Sequence, residues 1–438
     1  MIISRRNILK LLFFSTVSPY IYSCAKNPVT GRRELSLISR DEEIQLDKEN
    51  SKFQFSNDYG NIQDKELNNY INNVGQSLVK VSHRPDMPYS FRCVNAVYVN
   101  AYAFPAGSIA ITRGMIVNLQ SEAELAATLG HEIGHVAARH TAKVMSKGLI
   151  LGGVLTGLLI YLSVENNPFI PLASAAAGIG SSLILAKYSR DDERQADTLG
   201  MEYMVRAMYN PDGMIKLMNV LKSLEKNKPT MIEVMFSSHP MSEERYEKAI
   251  ELKNKKYLYA SNYNLYKERY MDNTFNIRKI KEAIENLQNA MTLIAKKNYT
   301  DAEELIKKAL MIAPHDYAAL LLMAKCKIFR SDYSEAYKYA LEAKDEYNSE
   351  GQAYYISGII CIKLNKYEEA LNNFNNYDRL LYGNPEALFY KGYCYDKVGD
   401  ISNAIKFYTA YLNKVDSGNN ANYARQRLNA LRMKQIFN

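Results

Sequence analysis

Two histidines four residues apart, with a glutamate directly after the first, form His131-Glu132-Ile133-Gly134-His135. In a helix, positions i and i+4 lie one above the other on a single face, so the two imidazoles are able to hold one Zn²⁺. Glu132 then stands beside the metal without ligating it, close enough to take a proton from a water molecule. A catalytic zinc needs three protein ligands and one open position. The pattern HExxHxxGxxH would draw the third from the same stretch. Here Val136-Ala137-Ala138-Arg139-His140 follows, with no glycine at the required place and a histidine one residue early. The third ligand therefore comes from elsewhere, and Arg190-Asp191-Asp192-Glu193-Arg194-Gln195-Ala196-Asp197 offers one. Glu193 and Asp197 share a helix face: Glu193 is placed to ligate, and Asp197 to accept a hydrogen bond from the free N–H of a ligand histidine. The expectation is one Zn²⁺ per chain, held by His131, His135 and Glu193. His140 reads as an ordinary helix-end histidine.

Rigid elements must hold these groups. The run Glu122 to His140 has a helical pattern, and Ser121 with Glu124 three residues on predicts a reciprocal capping box at its start. Upstream, Ala96 to Ala110 mixes Val, Tyr, Phe and Ile around the turn Pro105-Ala106-Gly107, which predicts a hairpin or edge strand. An extended stretch from Asn100 to Thr112, with Ala101 to Phe104 nearest the cleft, suits an extended substrate added as a strand, and so favours an endopeptidase. Between the two zinc segments, Gly148 to Tyr161 and Pro171 to Ala186 are apolar and helical. Each is shorter than the roughly 20 residues that span a bilayer. They read as a hairpin beside the cleft, a lid or a membrane-touching surface, with a spanning hairpin as the alternative.

The tail is periodic. Tyr299/Ala302, Tyr333/Ala336, Tyr367/Ala370 and Ile401/Ala404 repeat every 34 residues, and Ala324, Gly358 and Gly392 keep the same step. That period, with small residues where paired helices approach, is the signature of tetratricopeptide repeats. The predicted architecture is mainly α: a gluzincin-type metallopeptidase domain with a small β-sheet over residues 25–252, a linker over 253–282, and an α-solenoid over 283–438.

Residues 1–24 read as an export signal: Arg5-Arg6, an apolar run, then Ile21-Tyr22-Ser23-Cys24, which resembles a lipobox with Cys24 as the lipidation site. An ordinary signal with an incidental cysteine, or an uncleaved anchor, are the alternatives. The other cysteines, Cys93, Cys326, Cys361 and Cys394, form no CxxC, and three fall near equivalent repeat positions, as buried small residues would. A net charge of +8 without a basic block interleaved with aromatics argues against a nucleic-acid partner.

HEIGHVAARH, then YSRDDERQAD from Tyr188 to Asp197, then Ser238-His239-Pro240 with Arg245 five residues after the proline, together resemble the M48 family of membrane-associated metallopeptidases. Asn27 to Leu35, just after Cys24, is similar to the start of its exported members. The repeat tail is similar to that of the periplasmic members that assist β-barrel assembly. The resemblance implies His131, His135 and Glu193 as zinc ligands, Glu132 as base and Asp197 as the acid behind a ligand. It makes His239 and Arg245 further catalytic candidates facing the cleft, His239 either donating to the developing oxyanion or entering the open metal position and holding the enzyme latent. It also implies unfolded or misassembled envelope proteins as substrates, outer-membrane assembly machinery as a partner of the repeats, and a lipid anchor in the periplasm, at the outer rather than the inner membrane. The rival function is a chaperone or adaptor scaffold whose peptidase site is latent.

Overall fold

The computed structural model describes residues 24–35, 38–144, 188–227, 235, 236 and 238–437. The segment over residues 1–24 that is expected to be an export signal, Cys24 apart, and the apolar segments from Gly148 to Ala186 lie outside the described residues.

Two short antiparallel strands come first, β1 (Cys24–Lys26) and β2 (Arg33–Leu35), with Cys24 opposite Leu35. Helix α1 (Arg40–Asn57) starts at a reciprocal capping box between Ser39 and Glu42. Helix α2 (Lys65–Val79) buries Leu67, Ile71, Val74 and Leu78, the i, i+4, i+7 stripe of an amphipathic helix. Three strands follow: β3 (Ser90–Val94), β4 (Ala101–Ala103) and β5 (Ser108–Thr112). Their order is β3-β5-β4, so β4 is an edge strand, antiparallel to β5 with Tyr102 opposite Ala110. β4 and β5 are the expected hairpin, turning where Gly107 N–H donates to Phe104 O. The parallel pairing of β5 with β3 is one that local alternation does not announce.

After the short α3 (Arg113–Ile116) comes α4 (Glu122–Ala137), buried along its whole length. The sequence pattern predicts helix to His140, but Arg139 has φ 60°, a left-handed conformation that ends the helix at Ala137. Its guanidinium is held there, Nε by Glu43 Oε1 at 2.9 Å and Nη2 by Ile38 O at 2.5 Å. The capping box predicted at Ser121 forms by half. Ser121 Oγ accepts from Glu124 N–H, whereas the Glu124 carboxylate accepts from the backbone N–H of Gln120 (2.8 Å) rather than of Ser121.

Helix α5 (Arg190–Arg206) starts at a capping box between Ser189 and Asp192, and packs directly on α4. The two backbones touch: a Cβ added to Gly134 would lie 3.0 Å from Ala196 O, and one added to Gly130 3.1 Å from Gly200 O. Then come α6 (Asp212–Asn227), α7 (Glu243–Leu252), a π-helical turn at Lys253–Tyr257, a 3₁₀ turn at Leu258–Asn262, α8 (Lys267–Asn273) and α9 (Phe275–Lys279).

The tail is an array of paired antiparallel helices: α10 (Lys281–Ala295) with α11 (Tyr299–Ile312), α12 (Tyr317–Phe329) with α13 (Tyr333–Glu346), α14 (Gln352–Lys363) with α15 (Tyr367–Leu380), and α16 (Pro385–Val398) with α17 (Ile401–Leu412). Helix α18 (Asn419–Phe437) closes the stack. Each second helix begins on the repeating Tyr or Ile, and Ala302, Ala336, Ala370 and Ala404 are fully buried. In the last two pairs the small residue is needed sterically, since a Cβ at 358 would sit 2.7 Å from the Phe374 ring and one at 392 would sit 2.9 Å from the Tyr408 ring. Cys93, Cys326, Cys361 and Cys394 are free and buried. The molecule is thus mainly helical, with a small sheet and a C-terminal solenoid. One apolar core runs from α2 and the sheet through α4 and α5 into α10, α11 and α12, so the array packs onto the first domain. Among the described residues no helix is long and apolar enough to cross a membrane.

Candidate metal centre

Helix α4 projects His131 and His135 from one face, and α5, lying against it, brings Glu193 opposite them. The close backbone crossing is what lets a side chain as short as glutamate reach. His131 Nε2 lies 3.0 Å from His135 Nε2 and 3.5 Å from Glu193 Oε2, and His135 Nε2 lies 3.3 Å from Glu193 Oε1. All three side chains are buried.

The far side of each imidazole is engaged. His131 Nδ1 sits 2.9 Å from Asp197 Oδ1. Burial alone would raise the Asp197 carboxyl, but Arg245 and His131 outweigh it and hold it down at about 2, so it is an anionic acceptor and the Nδ1 of His131 carries the proton. His135 Nδ1 lies 2.9 Å from His140 Nδ1, whose Nε2 lies 3.0 Å from Gln195 Oε1. With His140 Nε2–H donating to that amide oxygen, its Nδ1 is left to accept from His135 Nδ1–H. Burial also keeps His140 and His135 below the usual imidazole range, in favour of neutral rings. Tyr188 stacks on His135 with ring centroids 3.8 Å apart, fixing the ring plane.

His135 Nε2 therefore presents its lone pair toward His131 and the Glu193 carboxylate, whereas at His131 burial is outweighed by Glu193 and Asp197, which raise the proton affinity of its ring, so a metal ion at this meeting point takes the place of a proton. Arg245 Nη1 balances the Glu193 carboxylate from one side, 2.8 Å from Oε2 as an ion pair, while the imidazole nitrogens meet it from the other. With Zn–N near 2.0–2.1 Å, the edges of a tetrahedral zinc site measure about 3.3–3.4 Å. The observed separations of 3.0 to 3.5 Å bracket that value, so this donor set fits zinc. Glu132 faces the same space. Burial raises its carboxyl above the ordinary range, and among the described residues its Oε2 has no hydrogen-bond partner.

His239 enters the group from the loop before α7. Its Nδ1 is 3.0 Å from Glu193 Oε1 and 3.3 Å from His131 Nε2, and its Nε2 is 3.9 Å from Glu132 Oε1. His131, His135, Glu193 and His239 together form a buried set able to hold one metal ion. Arg245, in the first turn of α7, donates from Nε and Nη2 to Asp197 (2.7 and 2.8 Å) and from Nη1 to Pro240 O (2.9 Å). It thereby ties the loop that carries His239 to the helix that carries Glu193. Cys24, at the start of β1, is not a member of this group.

Three participants escape reading from sequence: His140, Gln195 and Tyr188. His140 looks like a helix-end residue, and only the turn at Arg139 brings it back over His135. The available signal is thin, a histidine within one turn of the second ligand and a glutamine between Glu193 and Asp197.

Comparison with known proteins bears on the same segments. Residues 65–253 match the profile of the family described as "Peptidase family M48", and residues 295–377 match that of "Anaphase-promoting complex, cyclosome, subunit 3". A putative beta-barrel assembly-enhancing protease of Vibrio cholerae is 27% identical over 189 residues, 42% of this chain and 38% of that protein. The beta-barrel assembly-enhancing protease of Escherichia coli K12 is 26% identical with the same coverage. The metalloprotease YcaL of E. coli K12 is 26% identical over 159 residues, 36% of this chain and 59% of that protein. The similarity thus spans less than two fifths of the first two relatives. It places an M48-like segment before a repeat array.

Proposed function

We propose that this chain is a zinc-dependent endopeptidase of the M48 kind, with His131, His135 and Glu193 as metal ligands and Glu132 as general base. The observation that carries the reading is the convergence of two imidazole Nε2 atoms and a carboxylate in a buried space beside Glu132, with both outer ring nitrogens already occupied. When bound, zinc supplies Lewis-acid polarisation of the scissile carbonyl and brings the pKa of a water molecule toward about 7. Glu132, its proton affinity raised by burial, takes the water proton and passes it to the leaving amine. Asp197 holds His131 in the tautomer that frees Nε2, and His140 does the same for His135. Arg245, a catalytic candidate by resemblance, serves in this reading as a positioning residue, because its nitrogens face Asp197, Glu193 and Pro240. The edge strand β4 packs on α4 and suits an extended substrate added by main-chain pairing.

The similarity to proteins named beta-barrel assembly-enhancing proteases supports unfolded or misassembled envelope proteins as substrates, with the array as the surface for outer-membrane assembly machinery. The Cys24 segment supports a periplasmic protein with a lipid anchor, at the outer membrane more than the inner. Cys24→Ala then shifts the protein to the soluble fraction, and unchanged membrane retention would overturn the anchor.

A second reading has its own observation. His239 lies among the donors as a fourth ligand, which describes a latent site and a chain that works mainly as a chaperone or adaptor. Zinc content and casein cleavage, measured together on residues 25–438, decide between them. One zinc per chain, with cleavage lost in Glu132→Gln, supports the peptidase; zinc without cleavage, relieved in His239→Ala, supports latency; absence of zinc rejects both.

A further inference from the structure

We infer that the repeat array is a working part of the peptidase domain: Glu350 and Lys325 of the array hold the turn that ends α1, and that turn, through Asp58, holds the edge strand β4. This rests on the reading of β4 as the substrate strand.

The chain of contacts begins in the strand. Tyr102, the middle residue of β4, donates its hydroxyl to Asp58 Oδ2 at 2.5 Å, and Tyr98, just ahead of the strand, donates to Asp58 Oδ1 at 2.8 Å. Gln54 Nε2 supplies a third donor at 3.0 Å. One buried carboxylate at the end of α1 thus fixes both the strand and its approach. The residues on either side of Asp58 face the array. Ser56 Oγ donates to Glu350 Oε1, while Glu350 Oε2 accepts from Tyr317 Oη and from the backbone N–H of Gln352 (2.6 Å). Tyr59 accepts from Lys325 Nζ at 3.1 Å and lies under it, 4.5 Å from ring centroid to ammonium, with Lys325 fully buried. Gly60, at φ +72°, rests on the stem of Glu350, where a Cβ would come within 2.5 Å of Glu350 Cγ.

A second tether joins the other strand of the hairpin. Arg113 directly follows β5 and makes a bidentate buried ion pair with Asp316, at 2.5 and 3.0 Å, and Asp316 in turn caps α12. Gln288 of α10 donates to Val97 O at 2.6 Å. Neither strand of the hairpin is therefore held by the first domain alone. Buried polar groups of this kind keep their geometry only while every partner is present.

The test is amide hydrogen exchange on the zinc-loaded full chain, comparing wild type, Glu350→Gln and Lys325→Met, with the KM and kcat of an extended fluorogenic peptide measured on the same samples. Exchange over residues 98–104 should quicken about tenfold in both variants while α4, α16 and α17 keep their protection. KM should rise about fivefold with kcat within about twofold. Tyr102→Phe combined with Glu350→Gln should cost no more than the larger single change, because both cut one chain of contacts. Should Glu350→Gln fail to fold, Lys325→Met, which keeps side-chain volume, carries the test. Unchanged exchange over 98–104 while residues 56–60 loosen, or simple additivity in the double variant, would overturn the inference. A wild type that cleaves nothing would instead count against the peptidase reading, and the exchange result would still decide the coupling.

Discussion

The metal centre and the docking contact are both buried groups of charged and hydroxyl side chains, yet their books of donors and acceptors differ. Around Glu350 and Asp58 each carboxylate oxygen meets at least one donor. Around Glu193, three imidazoles converge on one carboxylate that a single guanidinium, Arg245, balances, and among the described residues Glu132 Oε2 has no hydrogen-bond partner. A complete set of partners describes a joint that holds parts together, whereas a shortage of donors, enclosed and rigid, describes a place for a cation and a proton.

That contrast breaks first at Glu132. Glu132→Gln should lower cleavage by about 10²–10⁴-fold with the zinc content intact, read by turnover and metal analysis on the same sample. Equal loss of metal would mean that Glu132 belongs to the ligand set. The docking side should answer in stability: Arg113→Met leaves Asp316 buried without its partner and should cost about 3–5 kcal/mol in denaturant unfolding, with metal affinity unchanged. His140→Ala should weaken zinc binding about 10–100-fold in a chelator competition, with little effect on unfolding of the metal-free chain.

The smallest effect is one of pH. Burial raises both Asp58 and Glu350 above their ordinary values of 3.8 and 4.5. The folded chain therefore takes up protons more readily than the unfolded one. The stability these two groups contribute is fully present below the ordinary values and lost as pH rises through the raised ones. Asp58→Asn and Glu350→Gln should each flatten that slope in unfolding curves taken from pH 4 upward. An unchanged slope would assign the pH dependence to other groups.

What was legible in the sequence was local. The HExxH pair and the Glu193/Asp197 pair are i, i+4 relations on single helices, and the 34-residue step is a regularity that survives loose individual positions. Hidden features depend on distant or exceptional geometry. His140 reaches His135 only because Arg139, a residue with no intrinsic taste for it, takes a left-handed conformation. Ser56 and Glu350 are 294 positions apart, and nothing in either neighbourhood marks the partner. Even the start of α4 shows the limit, since Glu124 chose the N–H of Gln120 over that of Ser121.

The glycine-lined crossing of α4 and α5 has a calorimetric corollary. With Gly130 and Gly134 letting one backbone rest on Gly200 and Ala196, the two ligand-bearing helices are locked in register before any ion arrives. Zinc uptake then orders little chain and buries little apolar surface, so its heat-capacity change should be close to zero, unlike small zinc modules whose binding energy is their folding energy. A cage that is fixed in this way selects by shape: ions that ask for six or more oxygen ligands find no slack in the helices to supply them.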